Sequence, residues 1–94
     1  MKRAPQKNPE RALNTALIRR LSEPGRYADG NCLYLVVEPS GTKHWVLRIV
    51  VRGRRRDMGL GGWRLVPLAR ARKLAKKYRG EARRGGDPLA RRKI

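Results

Sequence analysis

The sequence predicts an α+β domain: a short N-terminal helix, a three-stranded antiparallel β-sheet and one longer C-terminal helix packed on one face of that sheet. Three observations carry this reading. Apolar residues recur at every second position in stretches between Leu33 and Leu60, turn chemistry at Pro39 to Gly41 and at Arg52 and Gly53 interrupts them, and beyond Pro67 the apolar period lengthens to three or four residues. The 94 residues make one domain, and a chain of this size buries only about two-thirds of the surface it exposes unfolded. Phe is absent, so the two Trp, three Tyr and the Leu and Val side chains must supply the core.

In chain order, residues 1–12 mix Lys, Arg, Pro, Gln and Asn without periodicity and are expected to form a flexible basic arm. "LNTALIRRL" predicts a helix with Asn14 as N-cap and Leu13 stapled against Ile18; "SEPG" ends it. "NCLYLVVE" and "KHWVLRIVV" are rich in β-branched and aromatic residues and form a hairpin about Pro39, Ser40 and Gly41. A tighter turn at Arg52 and Gly53 leads to a third strand, roughly Arg54 to Leu60, which "GLGGW" closes. Pro67 then opens a helix whose apolar stripe is Leu68, Ala71, Leu74, Ala75, Tyr78 and Ala82, stopping at "RGGDP". The domain accordingly spans 13–88, with 89–94 expected to begin a linker.

Charge narrows the function. Lys and Arg number 25 against 7 Asp and Glu, a formal net charge of +18, which makes the compact state repel itself and favours a polyanionic partner. Nucleic acid is the first candidate and an anionic membrane surface the second. No run of 18 apolar residues exists and the basic N-terminus has no apolar segment behind it, so no membrane span or secretory signal is expected. The single Cys32 has no partner for an internal disulfide, which makes a reducing cytoplasm the expected compartment.

Strand parity converts the outline into a surface. If Arg52 and Gly53 form a two-residue loop, Val51 pairs with Arg54, Leu47 faces Met58 and Trp45 faces Leu60. A register setting Val37 opposite Trp45 then places Leu33, Leu35, Val37, Trp45, Leu47, Ile49, Met58 and Leu60 on one face, under the long helix. The opposite face carries Tyr34, Val36, Glu38, His44, Val46, Arg48, Val50, Arg55 and Asp57, with no second long helix to cover it. A narrow twisted sheet of this kind fits a DNA major groove. Arg donates two hydrogen bonds to a guanine edge, and Val or Tyr touches thymine methyls. Base contacts are therefore assigned to Tyr34, Val36, Val46, Arg48, Val50, Arg55 and Asp57, with Asp57 orienting Arg48 or reading cytosine. Phosphate contacts are assigned to Lys43, His44, Arg52, Arg54 and Arg56. Lys2, Arg3 and Lys7 of the arm are candidates for a neighbouring minor groove.

Other signals have simpler explanations. "GLGG" lacks the Lys and Ser/Thr of a P-loop and reads as a strand-ending turn. His44 is the only histidine, and no set of three or four metal ligands clusters in the sequence. Cys32 has no catalytic partner, Tyr78 falls on the helix's apolar stripe and Tyr27 precedes a tight turn. No catalytic residue, cofactor, metal or small-molecule substrate is expected.

The ordered combination of Tyr27 and Asp29, Leu33 and Leu35, Gly41 and Lys43, Trp45, Arg48, the Gly53 turn with its Arg run, Leu60 with Gly61, then Leu68, Ala71 and Arg72 resembles the N-terminal arm-type DNA-binding domain of phage and genomic-island tyrosine integrases. The likeness covers about Leu13 to Pro88. Cys32 stands where the family has Gly, Val36 stands at a frequently basic position, and Pro67 stands where Ser is common. The resemblance implies a three-stranded sheet docked in the major groove at arm-type sites of an attachment region. It also implies core-binding and tyrosine-nucleophile catalytic domains outside these 94 residues, and DNA-bending accessory proteins and other integrase protomers as further partners.

Two alternatives fit the charge: a small ribosomal-type RNA-binding domain, and a protein-interaction module of a recombinase. RNA-binding sheets present two or three stacking aromatics, whereas the open face here offers Tyr34 alone, which favours duplex DNA. A protein-interaction module predicts weak salt dependence. A groove-docked sheet with about six to ten phosphate contacts loses on the order of a thousandfold in affinity between 50 and 200 mM salt. Arg48→Ala is expected to cost roughly 1–3 kcal/mol and relax one position, whereas Arg54→Ala is expected to weaken all sequences alike.

Overall fold

The computed structural model describes residues 12–92; the basic arm, apart from Ala12, lies outside the described residues. The elements are α1 (Thr15–Arg20), β1 (Gly25–Gly30), β2 (Leu33–Val37), β3 (Lys43–Val51), β4 (Arg54–Gly62), α2 (Leu68–Arg83) and α3 (Pro88–Arg92). The sheet is antiparallel with strand order β1-β2-β3-β4. It has four strands where the sequence predicts three. The additional β1, "GRYADG", holds two Gly, an Ala and an Asp, residues depleted in strands, so composition hides it.

Helix α1 forms as its cap predicts: Asn14 Oδ1 accepts from the Leu17 N–H at 2.8 Å. Leu13 and Ile18 are both buried in the core cluster. At the far end of α1, Lys43 Nζ donates to the carbonyls of Ile18 (2.8 Å) and Arg19 (3.3 Å), a cation placed on orphan carbonyls of the last turn.

Turn geometry sets the registers. Arg52 and Gly53 both have positive φ, 50° and 80°, the type I′ pattern that matches strand twist, and Val51 pairs with Arg54 as parity requires. Between β2 and β3, Glu38 N–H donates to Thr42 O at 2.9 Å across a three-residue loop ending in Gly41 at φ 96°. This loop makes Leu35, and not Val37, the partner of Trp45. The slip is two residues, one full pleat, so every side chain keeps its predicted face. A bulge between Trp45 and Val46 removes the expected Trp45–Leu60 pairing and sets Trp45 opposite Gly61.

One sheet face packs on α2. Trp45, Leu33, Leu35, Leu47, Met58 and Val37 are fully buried, and Leu68, Ala71, Ala75 and Ala82 bury the facing stripe of α2. Three of those four positions are alanine, which lets the helix axis approach the sheet closely. The buried Trp45 indole donates to Val66 O at 2.7 Å, so its polar atom is satisfied inside the apolar layer. Pro67 occupies the N-cap of α2, one residue before the first helical position expected for it. At the C-terminus Gly85 adopts φ 90°, and the N–H groups of Gly85 and Gly86 donate to Ala82 O and Glu81 O at 3.0 Å each, a Schellman closure. The segment expected to begin a linker contains α3 instead, with Pro88 fully buried and Leu89 packed on the core.

A buried polar tie joins the layers. Asp29, at the β1 bulge, is 3% exposed; it accepts from Leu13 N–H at 2.9 Å and from Arg72 Nε and Nη2 at 2.8 and 2.9 Å. Arg72 Nη2 also donates to Leu13 O at 2.9 Å. The Asp29 hydrogen bond raises the Arg72 pKa against the opposing pull of burial.

Candidate nucleic-acid interface

Among the described residues no helix lies over the sheet face away from α2, and the residues of that face follow from parity. β1 contributes Arg26, β2 Tyr34 and Val36, β3 His44, Val46, Arg48 and Val50, and β4 Arg55 and Asp57. Val50 is 57% exposed, and Arg52 at the β3–β4 turn, Arg54, Arg55 and Arg56 are all exposed. The projecting hairpin therefore carries a cationic tip beside an apolar contact point.

The middle of the face is organised by one carboxylate. Arg48 and Asp57 are cross-strand partners, and Arg48 Nε donates to Asp57 Oδ1 at 3.3 Å. Arg26, from the opposite edge of the sheet, donates through Nη2 to Asp57 Oδ2 at 3.2 Å. Both guanidinium groups lie over the Tyr34 ring, 5.5 Å (Arg26) and 5.8 Å (Arg48) from its centroid. The Arg26 side chain crosses β2 and β3 to reach Asp57, and Val46 on that path is only 8% exposed. Partial burial alone would raise the Asp57 pKa, but hydrogen bonds from Arg26 and Arg48, and then their charges, hold it below the usual carboxylate value.

The expected site residues separate accordingly. Tyr34, Val36, Arg48, Val50, Arg55 and Asp57 share the open face, as does His44, whose Nε2 lies 2.8 Å from Glu38 Oε2. Val46 is on that face but buried in the free domain. Lys43, assigned to phosphate from the sequence, has its ammonium engaged by the end of α1 and 5.9 Å from the Trp63 ring, away from the open face. Arg54 and Arg56 pair with Val51 and Ile49, so they lean to the α2 side of the hairpin while remaining exposed. Arg26 is the residue that sequence reasoning missed, because β1 was missed. It stands directly opposite Val36, and so supplies a cation beside the strand position where Val36 has none. The signal was a tyrosine two residues from a Gly and an Asp in "GRYADG", with Arg26 out of phase with Tyr27.

Charge alone does not select this face, since α2 exposes Arg70, Lys73, Lys76 and Lys77 on the other side. At the hairpin edge, Arg79 and Arg83 of α2 border Arg48 and Val50 across a shallow cleft, extending the basic surface from sheet to helix. Among the described residues no three His, Cys, Asp or Glu side chains cluster as metal ligands, and no helix is long and apolar enough to cross a membrane.

Residues 9–94 match the family model described as the Arm DNA-binding domain. The chain belongs to that family. This Arm DNA-binding domain is 39% identical over 67 residues to the integrase of Shigella phage Sf6 and, to the same extent, to the prophage integrase IntS of Escherichia coli strain K12. Each match covers 71% of the Arm DNA-binding domain but only 17% of the integrase, so the chain spans about one-sixth of the length of these relatives. The part of the relatives' length that it matches is the part described as DNA-binding.

Proposed function

We propose that the domain binds duplex DNA sequence-specifically at arm-type sites of an attachment region, as the N-terminal part of a cytoplasmic site-specific tyrosine recombinase, an integrase. The observation that carries the reading is the sheet face that no described helix covers, bearing Arg26, Arg48 and Arg55 beside Tyr34, Val36 and Val50. Arg48 and Arg55 are assigned to base edges, because they stand on adjacent strands and emerge from the face. Val36 and Val50 meet thymine methyls. Arg52 at the hairpin tip, and Arg54 and Arg56 on its α2 side, are assigned to the phosphates that flank the groove. The integration chemistry of a whole integrase belongs to this proposal through the integrase relatives, and accessory bending proteins and contacts to other protomers belong to it through the family resemblance alone.

Tyr34 also separates DNA from RNA as the ligand. It is the single aromatic of the open face, and two guanidinium groups already cover its ring, so it is not a free platform for unstacked bases. The test is a backbone NMR titration with a duplex from an attachment region. Amide shifts are expected along β2, β3 and β4 and at the Arg52 turn. Shifts confined to α2 would reverse the assigned orientation.

A further inference from the structure

We propose that Asp57 is a specificity-determining residue of this sheet: its carboxylate joins Arg26 to Arg48 across the open face and competes with duplex DNA for both. The proposal rests on the DNA-binding reading above and adds to it a residue whose task is to refuse ligands.

The geometry is unusual for a cationic surface. The formal charge is +18, yet one of the 7 acidic residues stands at the centre of the candidate interface, with each carboxylate oxygen accepting from a different guanidinium at 3.2 and 3.3 Å. The two donors come from strands at different positions in the sheet, so the carboxylate closes a strap over Tyr34 and Val46. A free guanidinium binds any phosphate. A guanidinium held by a carboxylate leaves it only for an acceptor of comparable quality, and guanine O6 and N7 together provide one. The released carboxylate then needs a donor, and in the major groove that donor is an exocyclic amine, above all N4 of cytosine. Facing phosphates or base acceptors, it is repelled. Only a sequence that satisfies both guanidinium groups and the carboxylate opens the strap without loss. Glu38, the other acidic residue bordering this face, is engaged by His44 at 2.8 Å and does not reach the strap in the described structure.

The test compares the wild-type 94-residue chain with Asp57→Asn, which keeps the shape, and with Glu23→Gln, which removes the same charge away from the strap. Two probes are used: a fully randomised duplex pool, from which bound sequences are selected, and an unselected mixed-sequence duplex for titration. Asp57→Asn is expected to bind the unselected duplex about eightfold more tightly near 0.1 M salt, the effect of one additional phosphate contact, with a salt slope steeper by about 0.9. Its affinity for the wild type's selected sequence should rise much less, and its own selected motif should lose a C·G preference. Equal tightening on both duplexes, or behaviour matching Glu23→Gln, would refute the role of Asp57. If the wild-type chain itself enriches no sequence, the DNA-recognition reading fails instead. Cooperative thermal melts of all three proteins exclude misfolding as the cause.

Discussion

Replacing Asp29 by Ala should unfasten the domain at the junction of its layers. In the folded chain this carboxylate is 3% exposed and holds both the Leu13 N–H and two nitrogens of Arg72. Truncating it strands a guanidinium whose side chain is only 27% exposed. Breaking a buried ion pair by removing one partner costs about 3–5 kcal/mol, and the lower end applies because Arg72 can swing partly into solvent. The orphaned Leu13 N–H adds about 1 kcal/mol. The sum, roughly 4 kcal/mol, is a large part of the 5–15 kcal/mol that holds a typical domain together. For a domain of this size about 4–8 °C of melting temperature accompanies each kcal/mol, so the variant should melt roughly 16–32 °C lower. Far-UV circular dichroism with heat and with urea reads this directly. Arg72→Met alone should also destabilise, whereas the double variant should recover part of the loss, because no charge is then left buried without a partner. An Asp29→Ala melt within about 4 °C of the wild type, or a double variant as unstable as the sum of the singles, would refute the reasoning.

Cys32 holds φ 67° next to Asn31 at φ 54°, in a turn where a Cβ is unfavourable by about 1–2 kcal/mol. Cys32→Gly should therefore stabilise the fold by about 0.5–1 kcal/mol after the added freedom of the unfolded chain is subtracted, seen as an upward shift in urea midpoint. Arg48→Ala should lower affinity for the selected duplex by about 1–3 kcal/mol while flattening preference at one base pair, whereas Arg52→Ala should weaken all duplexes alike and reduce the salt slope by about one; identical behaviour on scrambled duplexes would erase the division between base and phosphate contacts. The pH response of Asp57 has a fixed sign. Its folded pKa lies below the unfolded value of about 3.9, so its contribution to stability is complete above that value and is lost as pH falls through the folded pKa. Because the pair is 36–44% exposed, the wild type should exceed Asp57→Asn at pH 7 by less than about 1 kcal/mol, and the difference should vanish once the pH falls below the folded pKa.

Periodicity made most of this architecture legible. The alternation from Leu33 to Leu60 assigned each side chain of β2, β3 and β4 to its face, and the two-residue slip at the first hairpin left that assignment intact. The register was readable in principle: "PSG" forms a three-residue loop when its Gly takes positive φ, which pairs Glu38 with Thr42. β1 is not readable by propensity, since its pairing with β2 rests on backbone hydrogen bonds, and its Tyr27 hydroxyl ties it only to the preceding loop, donating to Glu23 O at 2.6 Å. Missing it concealed both Arg26 and the reason Asp29 accompanies Arg72. The engagement of Lys43 by α1 is not legible in the sequence, because that contact sits 24 or 25 residues away in the chain and leaves no local trace.

The separation of duties between the two sheet faces has a practical consequence. Packing against α2 is entrusted to Leu33, Leu35, Trp45, Leu47 and Met58, while Tyr34, Val36, Arg48, Val50 and Arg55 take no part in that layer. A library diversified at the latter five positions should keep its thermal stability while its preferred nucleotide sequence drifts. Under the proposed function such a domain is retargetable: evolution, or an engineer, can rewrite the address without rebuilding the house.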